Sequence, residues 1–150
     1  MKKLIVFFLI ALFSIQVQAQ SDEEEVRAVI ETLFDGMRAK NTDMISSAFD
    51  PKALMQTIVV TDSGAETRSN VVQDFVARIG QAPEDTQLDE RITDYQIKVD
   101  GDLASAWTPY QFYVNDEFSH CGVNSFQLVR MEEGWKIVYI IDTRRKEGCV

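Results

Sequence analysis

The stretch FSHCGVNSFQLVRMEEGWKIVYIIDTRRKEGC, residues 118–149, reads as two long antiparallel strands around a tight turn, with both cysteines and the only histidine near its open end. Val, Ile, Tyr and Phe crowd both arms, and Glu132-Glu133-Gly134 separates them. A three-residue loop with Gly134 in the left-handed position pairs Met131 with Trp135. Side chains alternate between faces, so Val138, Ile140, Asp142 and Arg144 then share a face with Leu128, Phe126, Asn124 and Gly122. The opposite face, carrying Val129, Ile137, Tyr139 and Ile141, is apolar as well. A sheet with two apolar faces is expected to be covered on both, here by helices on one side and a second subunit on the other.

Upstream, Tyr95, Ile97 and Val99 alternate with polar residues as far as Asp100-Gly101, a two-residue hairpin signal. With Val99 facing Asp102, Ile97 lies opposite Ala104 and Tyr95 opposite Ala106, and the small alanines leave room for a closely packed helix. Thr108, Tyr110 and Phe112 continue that face. The turn at 115–117 allows two registers. A two-residue loop sends Cys121, Val123, Ser125 and Gln127 to the alanine face, and a three-residue loop sends His120, Asn124, Phe126 and Leu128 there, because a one-residue slip exchanges faces. The second is preferred because it buries Phe126 and Leu128.

The segments before the strands are helical in period. Val26, Val29, Ile30, Leu33, Phe34 and Met37 fall on one face of a helix ending near Ala39, opened by a capping box of Ser21 and Glu24. A short helix over 44–49 ends at Asp50-Pro51. Leu54 to Val60 and Glu66 to Arg68 form a hairpin, a lid or a rim. Val71, Val72, Phe75, Val76 and Ile79 define a third helix, capped by Asn70 and Gln73 and ended by Gly80.

Residues 1–19 have a basic start, an apolar run from Leu4 to Phe13 and small Ala19, the features of a secretory signal peptide cleaved before Gln20. The run is shorter than the roughly 20 residues that span a bilayer. Cleavage removes Lys2 and Lys3 and no acid, moving the formal net charge from −9 to −11. So acidic a surface disfavours nucleic acid and anionic membrane as partners. The expected product is one domain, 20–150, in the periplasm or secreted. Two cysteines in an exported chain invite a bridge, so Cys121 and Cys149 are expected to staple the tail.

This order of helix, short helix, hairpin, helix and antiparallel meander, with GDLASAWTPYQFY, CGVNSFQLVR and GWKIVYIIDTRR, resembles the nuclear transport factor 2-like superfamily, also called polyketide cyclase-like or ketosteroid isomerase-like. The segments HCGVNSFQL and DTRRKEGC are similar to its exported bacterial branch labelled putative lumazine-binding. The resemblance implies an α+β cone: a curved antiparallel sheet wrapped around a long N-terminal helix, with two further helices and a pocket at the wide end. The fold hosts isomerases, dehydratases, cyclases and proteins that only bind or dimerise.

On the preferred register such a pocket is lined by Tyr110, Phe112, His120, Asn124, Asp142 and Arg144, with Trp107 or Tyr113 nearer the outside. Aromatic walls with a few convergent polar groups suit a small apolar or aromatic ligand. The plain alternative is that Tyr110 and Phe112 are core and that Asp142 pairs with Arg144 or Arg145 to fasten the tail. For catalysis, Asp142 is the candidate base and Tyr110 the candidate proton donor, with His120 as a substitute. One histidine and two bridged cysteines leave too few ligands for zinc, and no phosphate loop or nucleophile elbow is present. The expectation is therefore an exported homodimer that binds a small molecule without a cofactor and without transforming it. The alternatives are a small isomerase or dehydratase, and a dimerisation module with no ligand.

Overall fold

Apolar periodicity decides the elements, and the computed structural model describes residues 22–149. The expected signal peptide and the Ser21 cap lie outside the described residues. Helix α1 covers 22–39, and its face of Val26, Ile30, Leu33, Phe34 and Met37 is buried. Lys40 takes a left-handed φ of 52° and lets the Asn41 N–H reach the Gly36 carbonyl at 2.9 Å, closing the helix end. Asn41 then caps α2 (Thr42–Ala48), its side chain accepting from the Met44 N–H at 3.0 Å.

The chain enters β1 (Phe49–Thr61) directly, so Pro51 lies within a strand rather than ending a helix at Phe49. Strand β2 (Gly64–Val71) returns antiparallel to β1. Helix α3 (Val72–Gly80) follows without a side-chain cap, so the expected Asn70 and Gln73 capping box does not form. Then come β3 (Leu88–Ile92), β4 (Gln96–Asp100), β5 (Leu103–Val114), β6 (Glu117–Met131) and β7 (Gly134–Asp142). The sheet order is β2-β1-β7-β6-β5-β3, with β4 also paired to β5. Every pairing is antiparallel except β1 with β7, so the hairpin read as a lid or rim is built into the sheet. Pro109 has no N–H to give, and opposite it the outer strand breaks between β3 and β4, where the Thr93 N–H donates to the Pro109 carbonyl at 2.9 Å.

The turns that join β4 to β7 differ from those the sequence suggests: the first keeps two residues but lies one residue further on, and the other two are one residue shorter. Gly101-Asp102 forms the first, which puts Val99 opposite Ala104 and Ile97 opposite Ala106, two residues from the expected register and on the same faces. Asn115 and Asp116, with φ of 54° and 61°, form a two-residue turn of the hairpin type that matches strand twist. Alone, that turn would put the wrong face inward. A bulge at Ser119 corrects it, so Phe112 faces His120, Ala106 faces Phe126 and Ala104 faces Leu128.

The last turn is Glu132-Glu133, with Met131 opposite Gly134 rather than Trp135. A second bulge, at Val138, brings Asn124 opposite Asp142 but leaves Ile137 opposite Leu128. Ile137, expected on the outer face, is therefore fully buried, and Val138 is not. The inner faces of β5, β6 and β7 close on α1, with the Phe34 and Phe126 rings edge to face at 6.3 Å.

The chain's end is drawn over β6. Cys121 and Arg145 exchange backbone hydrogen bonds at 2.8 Å, and Cys121 is bridged to Cys149. Between them, a Cβ on Gly122 would stand 1.8 Å from the Thr143 carbonyl oxygen and 2.9 Å from the Tyr110 ring. Gly122→Ala is therefore expected to destabilise the protein by about 3 kcal/mol, lowering the thermal midpoint by about 10 °C. A calorimetric scan of both proteins checks this, and an unchanged midpoint would contradict the close approach.

Candidate functional site

At the wide end of the cone, six strands and two helices enclose a cavity of about 230 Å3. Its floor is apolar: Leu33, Phe34 and Met37 from α1, Met55 from β1, and Phe75 and Ile79 from α3. All six residues singled out from the sequence, Tyr110, Phe112, His120, Asn124, Asp142 and Arg144, lie around this one space. Trp107 and Tyr113 do not line it. Trp107 faces outward with half its surface exposed, and Tyr113 packs under the Arg91 guanidinium at 4.1 Å.

The sheet register explains the convergence. Tyr110 faces Gly122, Phe112 faces His120 and Asn124 faces Asp142, while β1 places Thr57 beside Asp142 and β3 places Glu90 beside Phe112. Asp142 is held from three sides: by Thr57 Oγ1 at 2.6 Å, Arg144 Nε at 2.7 Å and the Tyr110 hydroxyl at 3.4 Å. The Tyr110 hydroxyl also donates to the Thr143 carbonyl at 3.0 Å. Burial, reinforced by the Glu90 and Asp142 carboxylates, pushes the Tyr110 phenol far above its ordinary range, so it stays a proton donor. His120 packs between Phe112 and Tyr110, with ring centroids at 5.0 and 5.8 Å, and its Nδ1 is 3.1 Å from Ser119 Oγ. Burial first, and then the Arg144 charge, lower its pKa, so the imidazole is neutral at pH 7.

Glu90 was not picked out by sequence reasoning. Its Oε1 accepts from Asn124 Nδ2 at 2.7 Å, and no partner for its other oxygen occurs among the described residues. Burial, opposed by the Asn124 hydrogen bond and aided by the Asp142 charge, pushes its pKa up to about 7. The signal was available: in the alternating run LDERI, Glu90 stands on the inward side between Leu88 and Ile92, both packed on the core. Among the described residues, no group of three or more His, Cys, Asp or Glu side chains is placed to hold a metal ion. No helix there is long and apolar enough to cross a membrane.

A raised carboxyl pKa makes folding take up a proton between about pH 4.5, where the unfolded side chain titrates, and about pH 7. Stability should fall as pH rises through that window. Glu90→Gln is therefore expected to be more stable than the parent by about 2 kcal/mol at pH 8 and equal to it near pH 4.5. Urea melts at the two pH values measure this. An equal difference at both would mean that Glu90 ionises normally.

Residues 21–140 match the family described as "Putative lumazine-binding". No curated protein matches in sequence. Among solved structures, a nuclear transport factor 2-like protein with a cystatin-like fold from Novosphingobium aromaticivorans superposes with a TM-score of 0.72 at 16% identity, covering 92% of this chain and 90% of that one. A protein from Kribbella flavida gives 0.67 at 17% identity, over 84% and 92% of the two chains. A putative dehydratase of the same fold family from Streptomyces avermitilis gives 0.65 at 14% identity, over 84% and 97%. At these identities the structures speak for the fold, an α+β cone with, among the described residues, a curved sheet of seven strands and three helices. The residues matched in sequence go further: the chain belongs to the family described as putative lumazine-binding.

Proposed function

We propose that this is an exported protein that binds a small apolar or aromatic molecule in the cavity without transforming it. The observation that carries the reading is the pairing, in one enclosed space, of an apolar floor with Glu90 and Asn124, whose remaining hydrogen-bonding capacity lies along the cavity wall. A volume near 230 Å3 falls below the roughly 300–1,000 Å3 of drug-sized sites, so the occupant is a mono- or bicyclic ring. The family description names lumazine, a flat bicyclic heterocycle with polar edges, and a molecule of that class suits such a space. The Cys121–Cys149 bridge supports export to an oxidising compartment. Leu103 and Trp107, about half exposed on the outer sheet face, support a second copy of the chain as the partner that covers it.

Native mass spectrometry of the exported, unreduced protein tests both parts. The expected spectrum shows a dimer retaining one small molecule per chain. Met55→Trp, which fills the floor from β1, is expected to lose the molecule while keeping a cooperative thermal melt. A folded variant that retains it would place the ligand elsewhere, and an empty parent would favour a structural module.

A second reading, a small isomerase or dehydratase, is favoured by Glu90. Asp142, the base expected from sequence, is occupied by Thr57, Arg144 and Tyr110, whereas Glu90 has a free oxygen and a pKa of about 7. In this reading Glu90 takes the proton and Tyr110 donates to the developing oxyanion. The protein should then exchange a carbon-bound hydrogen of the retained ligand with deuterated water, and Glu90→Gln should abolish exchange but not binding. No exchange in the parent leaves binding alone.

A further inference from the structure

Arginines in this acidic protein are mostly occupied. Arg38, Arg91, Arg130 and Arg144 each hold a carboxylate within 2.8 Å, Arg27 lies over the Tyr95 ring at 4.2 Å, and Arg145 Nε donates to the Gly148 carbonyl. Arg68 and Arg78 have no such partner among the described residues. Both are exposed, Arg68 on β2 opposite Thr57 and Arg78 in the last turn of α3, and they line the same outer concavity as Arg144. Arg144 gives its Nε to Asp142, while its terminal amino groups have no partner there. Among the described residues no carboxylate lines this concavity.

Position gives the cluster its meaning. Thr57, Asn70, Arg78 and Arg144 line both the outer concavity and the inner cavity, so the arginines stand at the cavity's mouth. A helix C-terminus favours one cation, which would account for Arg78 alone. It does not account for Arg68 converging on the same spot from another element, nor for two unpaired guanidiniums in a chain with 24 acids and 15 bases. Guanidinium forks match the planar oxygens of carboxylate and the oxygens of phosphate.

We propose that this mouth binds an anionic oxygen group attached to the ring that occupies the cavity, so that the ligand is an aromatic or heterocyclic acid, a carboxylate or a phosphate ester. The inference rests on the cavity reading above and adds the ligand's class: a ring that faces Asn124 and Glu90 inside, and an anionic tail held by Arg68, Arg78 and Arg144 outside. The acidic remainder of the surface repels free anions generally, so capture requires a tail delivered by a ring that fits.

Titration calorimetry with three probes tests this: 2-naphthol, 2-naphthoate and 2-naphthyl phosphate, at low and high salt, against the parent and the double variant Arg68→Gln/Arg78→Gln. Both positions are exposed, so the variant is expected to melt like the parent. At least one acid should bind the parent about tenfold more tightly than 2-naphthol at low salt. That advantage should shrink with salt and fall several-fold in the variant, where Arg144 alone remains, while 2-naphthol affinity changes by less. The stronger of the two acids identifies the group, and a gain by either upholds the proposal. Binding of 2-naphthol as tight as that of both acids, or an acid advantage undiminished in the variant, would overturn the anionic tail and leave the cavity reading standing. Binding of none of the three would remove the cavity reading and this inference together.

Discussion

Everything in this structure depends on the fit of one apolar helix face into the concave side of a sheet. The face of α1 needs flat ground, and Ala104 and Ala106 supply it in β5, flanked by Phe126 and Leu128 from β6. Each fully buried aliphatic or aromatic side chain contributes roughly 1.5–3 kcal/mol relative to exposure, so the inward placement of Phe126, Leu128 and Ile137 is worth more than any single polar contact. The sheet must therefore present the right face along its whole length while curving enough to wrap a cylinder. The bulges at Ser119 and Val138 meet both demands, because each bends its strand and advances the register by one residue.

Those bulges also mark the limit of what the sequence discloses. The period-two runs, the helix faces, the cysteine pair and the residues that meet at the wide end follow from side-chain chemistry. Apolar residues must go inward, and that demand selects Phe126 over Ser125 whatever the turn does. Turn and bulge trade one residue between them, so Asn115-Asp116 with a bulge at Ser119 gives the same inward face as a longer loop without one. Sequence reasoning consequently reached the right neighbours for Asn124 and Asp142 by an incorrect loop, and misplaced Ile137 and Val138, which lie between the last turn and the end of its bulge. The parallel pairing of β1 with β7 has no local signal, since it joins segments about 85 residues apart, as in the Thr57–Asp142 bond.

At the site, two carboxylates show how environment divides roles. Asp142 faces a guanidinium and two hydroxyls, which hold it in place. Glu90 faces an amide and apolar walls, and burial disfavours its charge. Clustered polar letters point to Asp142 beside Arg144, whereas Glu90, between Asp89 and Arg91, reads as one more charge on an exposed edge until the alternation of Leu88 and Ile92 turns it inward. The positive charges at the mouth come from β2, α3 and the segment after β7, elements distant in sequence, so their convergence is a property of the fold.

The β1–β7 pairing sets an order of events. For a chain delivered N-terminus first, from a ribosome or through a translocation pore, β1 can pair with β2 at once, but its other edge finds no neighbour until the last strand has emerged. Until then an unpaired edge stands open to other chains, and the cavity wall shared by Met55 and Ile140 cannot form. Closure relies on contacts between the two ends of the chain, which form slowly because the intervening loop must first be closed. The nascent protein is thus most vulnerable to aggregation just before synthesis or translocation ends, and losing even the final strand would leave the first half without its second neighbour.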